Sequence, residues 1–269
     1  MQYVYQENAG LSSALNTGLR QSRGKFLVFL DADDRLLPDA VETGVSRMHE
    51  HPECAFVSGH CRVIDSEGAI LPSPRQHHVE REHYLKLLRG GSYIWCPATV
   101  LYQRHVFDFV HGFDVALSPV ADYDLYLRIT RDFPVHSHNH IIAEHRQHPF
   151  NMSRDVSAME RAALAAHGAQ WDFVKANNRY REAYDAGGDD FGKMIILFNK
   201  WLAEFARSCA SSSRSRQYLP SRPAGTASFS AWTAGKPGIF LIRSKIVRGN
   251  YSRRERKARW PHRPGLKRE

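Results

Sequence analysis

Cysteine is scarce in this chain: four thiols in 269 residues, Cys54, Cys61, Cys96 and Cys209, with no CxxC pair and no regular spacing. That excludes a disulfide-stapled miniprotein and makes free thiols in a reducing compartment the expectation. No apolar run approaches the roughly 18 residues that span a bilayer, and the opening MQYVYQENAG lacks the basic-then-apolar order of a secretory signal. The expected location is cytoplasmic, with a peripheral place on the inner membrane face as the variant. Neither GxGxxG nor GxxxxGK[ST] occurs, which argues against a dinucleotide oxidoreductase and a P-loop ATPase. Acidic residues are missing from one end: residues 207–269 hold 16 Lys and Arg against 2 Asp and Glu, whereas residues 1–206 hold 21 against 26. The formal charge of +9 therefore belongs to a terminal segment on an acidic fold, and nucleic-acid binding is not expected.

What is present is ordinary globular composition, 42% hydrophobic and 24% charged, on a chain long enough to bury a core. Tyr3 to Gln6 is β-prone, and Ser12 offers an N-cap for a helix over 13–22 that Gly24 closes. Lys25-Phe-Leu-Val-Phe-Leu30 is an unbroken apolar run of strand length, as for a strand buried on both faces, and it stops at Asp31-Ala-Asp33-Asp34. Pro38 opens a helix to Glu50, residues 54–63 read as a strand, and Asp65-Ser-Glu-Gly68 reads as a hairpin turn. Residues 79–89 look helical, 94–102 extended, 122–132 helical with Leu125, Ile129 and Phe133 on one face, and 135–143 strand-like. The order is that of an α/β fold. The expected organisation is one domain over 1–153, a helical extension over 154–207, a Ser/Arg/Pro/Gly-rich linker over 208–235 and a basic tail over 236–269 whose removal leaves the melting transition almost unchanged.

In an open parallel sheet, ligands bind beyond the carboxyl ends of the strands, which is where Asp31-Ala-Asp33-Asp34 falls. Several carboxylates at the end of a buried strand repel one another, and a divalent cation bridging to a substrate phosphate offsets that cost. The plainer alternative is a solvated acidic turn before a helix, where Asp favours the N-terminal dipole. From the tetrapeptide alone both stand.

Three blocks narrow the choice. Gln6-Glu-Asn8-Ala-Gly10, Ala14-Leu-Asn16-Thr-Gly18 and Gly24-Lys-Phe-Leu-Val-Phe-Leu-Asp-Ala-Asp-Asp34 form the first. Phe107, Gly112-Phe113-Asp114 and Asp122-Tyr-Asp124-Leu125 with Leu127 and Arg128 form the second, and Arg146-Gln-His148-Pro-Phe-Asn-Met-Ser153 the third. In this order they resemble the family 2 glycosyltransferases, inverting enzymes with the GT-A (Rossmann-like) nucleotide-sugar fold, over residues 1–153. The resemblance implies a metal-assisted transfer from a nucleotide-sugar donor to a glycan or lipid-linked acceptor, with Mg²⁺ or Mn²⁺ as cofactor, in cell-envelope glycan synthesis. It implies donor contacts from Asn8, Gly10, Asn16 and Asp31, a metal held by Asp33 with His148, and Asp122 as the general base on the acceptor hydroxyl. Read without it, Asp122 is an N-cap and Asp124 a dipole partner in the first turn of a helix. Ala121 and Leu15 depart from the family pattern, which usually has an acidic and a basic residue there. The family's fold also opens with two strands that have no counterpart here, so the domain is expected to be N-terminally truncated, through a misplaced start or as a remnant gene. The rival functions are a non-catalytic remnant that serves as a binding protein, and a carboxylate-pair glycoside hydrolase working through Asp33 and Asp122.

Outside these blocks, His136, His138 and His140 alternate along an expected strand and so share one face, but zinc is discounted for want of further ligands. Trp95 is either a sugar-stacking platform or core, and Cys96 has no activating partner in the sequence. Arg253-Arg-Glu-Arg-Lys257 with Arg259 and Trp260 is read either as a contact for anionic membrane, aided by Phe240-Leu-Ile242, or as a solvated extension.

Overall fold

The computed structural model describes residues 2–73, 76, 78–148, 151–188, 226–233 and 239–247. Eight strands form one mixed sheet: β1 (Gln2–Gln6), β2 (Phe26–Asp31), β3 (Arg35–Leu36), β4 (Phe56–Ile64), β5 (Val100–Gln103), β6 (His136–Arg146), β7 (Thr226–Thr233) and β8 (Ile239–Val247). Their order across the sheet is β1-β7-β8-β2-β5-β4-β6-β3. The helices are α1 (Leu11–Gln21), α2 (Ala40–Glu50), α3 (His83–Gly90), α4 (Phe107–Val110), α5 (Ala121–Asp132), α6 (Val156–Gly168) and α7 (Trp171–Val174).

Strand β2 explains its own composition. Leu27 and Phe29 enter the main core with Leu15 of α1, Leu87 and Leu88 of α3 and Leu125 of α5, while Phe26 and Val28 enter a second cluster with Met48 of α2. Both faces of the strand are covered, so alternation is lost and a continuous apolar run results. Each of these side chains contributes about 1.5–3 kcal/mol by leaving water.

Helix α1 begins at Leu11 with Gly10 as its N-cap, not at the expected Ser12 cap, because Gly10 takes φ 87° and the Ser12 N–H is satisfied from outside by Ser118 Oγ at 3.2 Å. A Cβ at Gly10 would meet that same hydroxyl at 3.2 Å, so left-handed backbone and close approach both require glycine there. Helix α2 starts at Ala40, two residues after Pro38, and α3 starts at His83, four residues later than the apolar pattern indicates.

The end of the chain departs furthest from expectation. β7 lies inside the segment read as a linker, and β8 inside the segment read as a tail. They pair antiparallel with each other and sit between β1 and β2: β7 is antiparallel to β1, and β8 is parallel to β2 with Phe26 opposite Ile239 and Asp31 opposite Ser244. Helix α1, which joins β1 to β2, crosses over this hairpin and packs on it. The physical reason is plain: Ile239-Phe-Leu-Ile is a β-prone apolar run, and the flank of β2 offers an unpaired backbone ladder that such a run satisfies. Ile242 is fully buried in the main core. Residues 189–207 of the helical extension, 208–225 of the linker and the basic cluster Arg253–Trp260 lie outside the described residues. The described part of the extension shares the main core through Ala163, Ala166, Val174 and Ala183.

Candidate active site

The carboxyl end of β2 delivers Asp31, and the turn after it delivers Asp33 and Asp34. Segments distant in sequence meet them there. His148, just past the end of β6, places Nε2 2.7 Å from Asp33 Oδ2. His145, on β6, hydrogen-bonds Asp34 through Nδ1 at 3.2 Å, and Asp122, in the first turn of α5, is near enough for its charge to act on Asp31.

The electrostatics divide the acids by role. Burial, then the charges of Asp34 and Asp33, push the Asp31 carboxyl up to about 8, opposed by His145 and reinforced by Asp122. Burial works against the Asp33 charge as well, but the His148 hydrogen bond and the neighbouring imidazoles outweigh it and hold its pKa below the usual value. Asp122 is raised by burial, although the Tyr123 N–H donates to its Oδ1 at 2.9 Å. For His145 burial disfavours the cation, yet the hydrogen bond and charge of Asp34 win and lift it to about 9.

Asp34 is the knot that holds these elements. It is 2% exposed, and its two oxygens accept from the Arg146 N–H at 2.8 Å, from His145 and from the Cys96 thiol at 3.2 Å. Asp34, Cys96 and His145 form the one group of three metal-capable side chains among the described residues. Cys96 therefore has a partner, but not an activating one, in keeping with the sequence reading. Its contact with Cys61, burial and Asp34 all raise its pKa, so it stays a thiol. Arg146 clamps the acidic turn from its own side chain, donating Nε to the Asp33 carbonyl at 2.8 Å and Nη1 to the Asp65 carbonyl at 2.8 Å. Asn151 closes the loop around His148: its Oδ1 accepts the His148 N–H at 2.5 Å and its Nδ2 donates to the Arg146 carbonyl at 2.9 Å. These bonds hold the backbone of His148 while its imidazole meets Asp33.

Residues 1–110, which carry the β1–α1–β2 unit and the acidic turn, match the family model described as Glycosyl transferase family 2. Over these residues the chain is similar to the family 2 glycosyltransferases. The α/β architecture is accordingly the GT-A type. Chondroitin synthase of Escherichia coli is 29% identical over 153 residues, which are 57% of this chain and 22% of that protein. An uncharacterized glycosyltransferase of Rickettsia felis is 28% identical over 166 residues, 58% of this chain and 27% of the relative. The chain thus spans about a quarter of the length of these two relatives. A putative glycosyltransferase of Bacillus subtilis, EpsH, is 22% identical over 76% of this chain and 62% of its own. Among solved structures, a mannosyltransferase from Pyrobaculum calidifontis in complex with GDP-Man and Mn²⁺ aligns over 79% of this chain and 57% of its own, with 17% identity and a TM-score of 0.48.

Several conspicuous residues serve architecture. Asn16, expected at the donor, spends its amide on the backbone of Phe113: Nδ2 donates to the carbonyl at 2.8 Å and Oδ1 accepts the N–H at 2.8 Å. Gly112 is glycine because φ is +84° and a Cβ would lie 2.5 Å from Asn16 Oδ1. Asn8 is exposed and accepts the Gly10 N–H at 3.1 Å, an Asx turn at the end of β1. Asp124 is buried in an ion pair with Arg128 at 2.6 Å, whose guanidinium also reaches the Val110 and Gly112 carbonyls. Leu15 is a core residue, and Trp95 packs beside Cys61, Cys96 and Ala143. The histidine stripe is irregular, although the His138 and His140 rings meet edge-on at 5.4 Å. Register shifts beside His60 break the alternation of β6, leaving His138 buried and His140 exposed, while His136 stacks on His51 at 3.9 Å. No described helix is long and apolar enough to cross a membrane. Sequence reasoning missed His145, Arg146 and Asn151 as organisers; only the place of Arg146 and Asn151 inside the third family block marked them, and His145 lies just before it.

Proposed function

We propose that the protein transfers a sugar from a nucleotide-activated donor to an acceptor hydroxyl with inversion at the anomeric carbon, in polysaccharide or glycoconjugate synthesis. One observation carries this reading: Asp31 and Asp33 at the end of β2, Asp122 at the start of α5 and His148 after β6 converge on one sheet edge, where open α/β sheets bind ligands. A sugar hydroxyl is a weak nucleophile, and Asp122 supplies the base. Burial raises its proton affinity above that of an exposed aspartate, which makes it the stronger acceptor of the hydroxyl proton. Attack from the face opposite the leaving group inverts the centre without a covalent enzyme intermediate. Asp31 takes the ribose.

The donor set fits a hard divalent cation: oxygen ligands and one imidazole stand together, and Asp31 holds a proton up to about pH 8 until positive charge arrives. Mg²⁺ or Mn²⁺ would be held by Asp33 with His148, and when bound it neutralises the departing diphosphate. The name of the Escherichia coli relative, chondroitin synthase, supports a glycan acceptor. The test is turnover of UDP- and GDP-sugars with Mn²⁺. Asp122→Asn lowers turnover by roughly 10²–10⁴-fold while nucleotide affinity stays within about twofold. Near-normal turnover in Asp122→Asn overturns the base assignment and leaves that residue a helix cap.

A further inference from the structure

A second polar cluster lies behind the donor acids, and its chemistry differs from theirs. The Asp33 side chain is 33% exposed, whereas that of Asp34 is 1% exposed and meets Cys96 and His145. The three residues come from separate elements: the turn after β2, the residue before the short turn Pro97–Thr99 that leads into β5, and β6. Asp34 uses Oδ1 to accept the Arg146 N–H at 2.8 Å, while Oδ2 faces the Cys96 thiol and His145 Nδ1, both at 3.2 Å. The ligand atoms of all three lie within 4.8 Å of one another. In a zinc tetrahedron with bonds of about 2.0–2.3 Å, neighbouring ligand atoms stand roughly 3.3–3.7 Å apart, so this spacing is close to that of a formed site. A second thiol is at hand, since buried Cys61 of β4 touches Cys96.

The residue behind His145 gives an independent sign. Gln147 is 2% exposed and its Oε1 has no hydrogen-bond partner among the described residues, while its Nε2 lies 2.8 Å from His145 Nε2. Turning the amide over lets Oε1 accept the His145 Nε2–H, which satisfies the orphan oxygen. A proton fixed on Nε2 leaves the Nδ1 lone pair aimed at Asp34 Oδ2 and Cys96, an arrangement that requires a cation between them. A proton on Nδ1 or a metal ion meets that need, and a thiol as third partner favours the metal. We propose that Asp34, Cys96 and His145, with Cys61 as fourth donor, form a zinc site that fastens the acidic turn to β4, β5 and β6. Thiolate and imidazole ligands set it apart from the cation at Asp33, because they prefer Zn²⁺ to Mg²⁺ or Mn²⁺. Binding releases the two thiol protons, and any proton on Nδ1, to solvent. The partly exposed flank of His145 is the entry path.

The ion is structural, so the inference does not depend on the donor reading above. The full chain, stripped of metal by a chelator, is titrated with Co²⁺ as a spectroscopic substitute for Zn²⁺. The expected result is a thiolate-to-cobalt charge-transfer band that saturates at a single equivalent, is bleached by Zn²⁺ and is unaffected by excess Mg²⁺. Zn²⁺ should also raise the melting temperature. Cys96→Ser abolishes the band, and Cys61→Ser lowers its intensity, one thiolate of two being lost. Cys54→Ser and Cys209→Ser leave it unchanged. Gln147→Met, which removes the partner of His145 while keeping its bulk, weakens Co²⁺ binding by about 10–100-fold. This variant carries the test if circular dichroism shows Cys96→Ser to be unfolded. Asp33→Ala keeps the band, which separates the site from any cation held with the donor. Absence of the band in the unmodified chain, its survival in Cys96→Ser, or undiminished affinity in Gln147→Met overturns the zinc site and leaves the donor reading untouched. Loss of the band in a folded Asp33→Ala chain shows one shared ion and overturns it equally.

Discussion

Asp31 illustrates how a functional position costs stability. Its carboxyl is raised to about 8 by burial and by its acidic neighbours, whereas in the unfolded chain it ionises near the ordinary aspartate value of 3.8. Between these values the folded protein holds a proton that the unfolded chain has released, so stability is fully present below about pH 4 and is lost as pH rises through 8. Asp31→Asn should therefore raise the melting temperature at pH 8 in the presence of a chelator, with the gain vanishing toward pH 4. Equal melting temperatures at both pH values would show that Asp31 is solvated. Residues of this kind were legible from the sequence because acids ending an apolar strand are anomalous wherever they occur. Asn16 was not, because an amide that bridges two backbone groups of Phe113 has the same one-letter signature as an amide that binds a sugar. His145 and Asn151 were hidden for a similar reason: their partners, Asp34 and the loop carrying His148, are brought to them only by the fold.

Elements that carry their own periodicity were read to within a few residues: β2 from its run, α5 from Leu125 and Ile129, and α2 and β4 from their turn signals. The failure at β7 and β8 is one of context. A Ser/Arg/Pro/Gly-rich stretch and a basic tail have the composition of solvated chain, and only the neighbouring flank of β2 makes strands of them. The consequence is measurable by truncation. A chain ending at Gly235 loses β8, and with it the buried Ile242 and the ladder to β2, so its melting temperature should fall by several degrees or its transition become non-cooperative. A chain ending at Val247 keeps the sheet and should melt like the full protein. If both truncations melt alike and like the full chain, β8 is not part of the cooperative unit. Vesicle-binding comparisons for the basic cluster Arg253–Trp260 should accordingly use the chain ending at Val247, which isolates the cluster from the fold.

On the scale of the molecule, an α/β fold brings an acidic turn, a helix start and a histidine loop together at one sheet edge, and the match of residues 1–110 to the family 2 model includes the acidic turn. The fold class and the acidic turn were legible because hydrophobic period and strand-end acids are local properties. The organising shell around Asp34 and the sheet position of the C-terminal hairpin were not, being products of long-range pairing. The account stands or falls on whether Asp33 and His148 act together on a metal-bound nucleotide. The direct measurement is calorimetric titration of a nucleoside diphosphate, with and without Mn²⁺, into the full chain and into His148→Ala and Asp33→Ala. Metal-dependent binding that weakens at least about tenfold in both variants is the predicted result. Binding that is indifferent to Mn²⁺, or unchanged in Asp33→Ala, would contradict it.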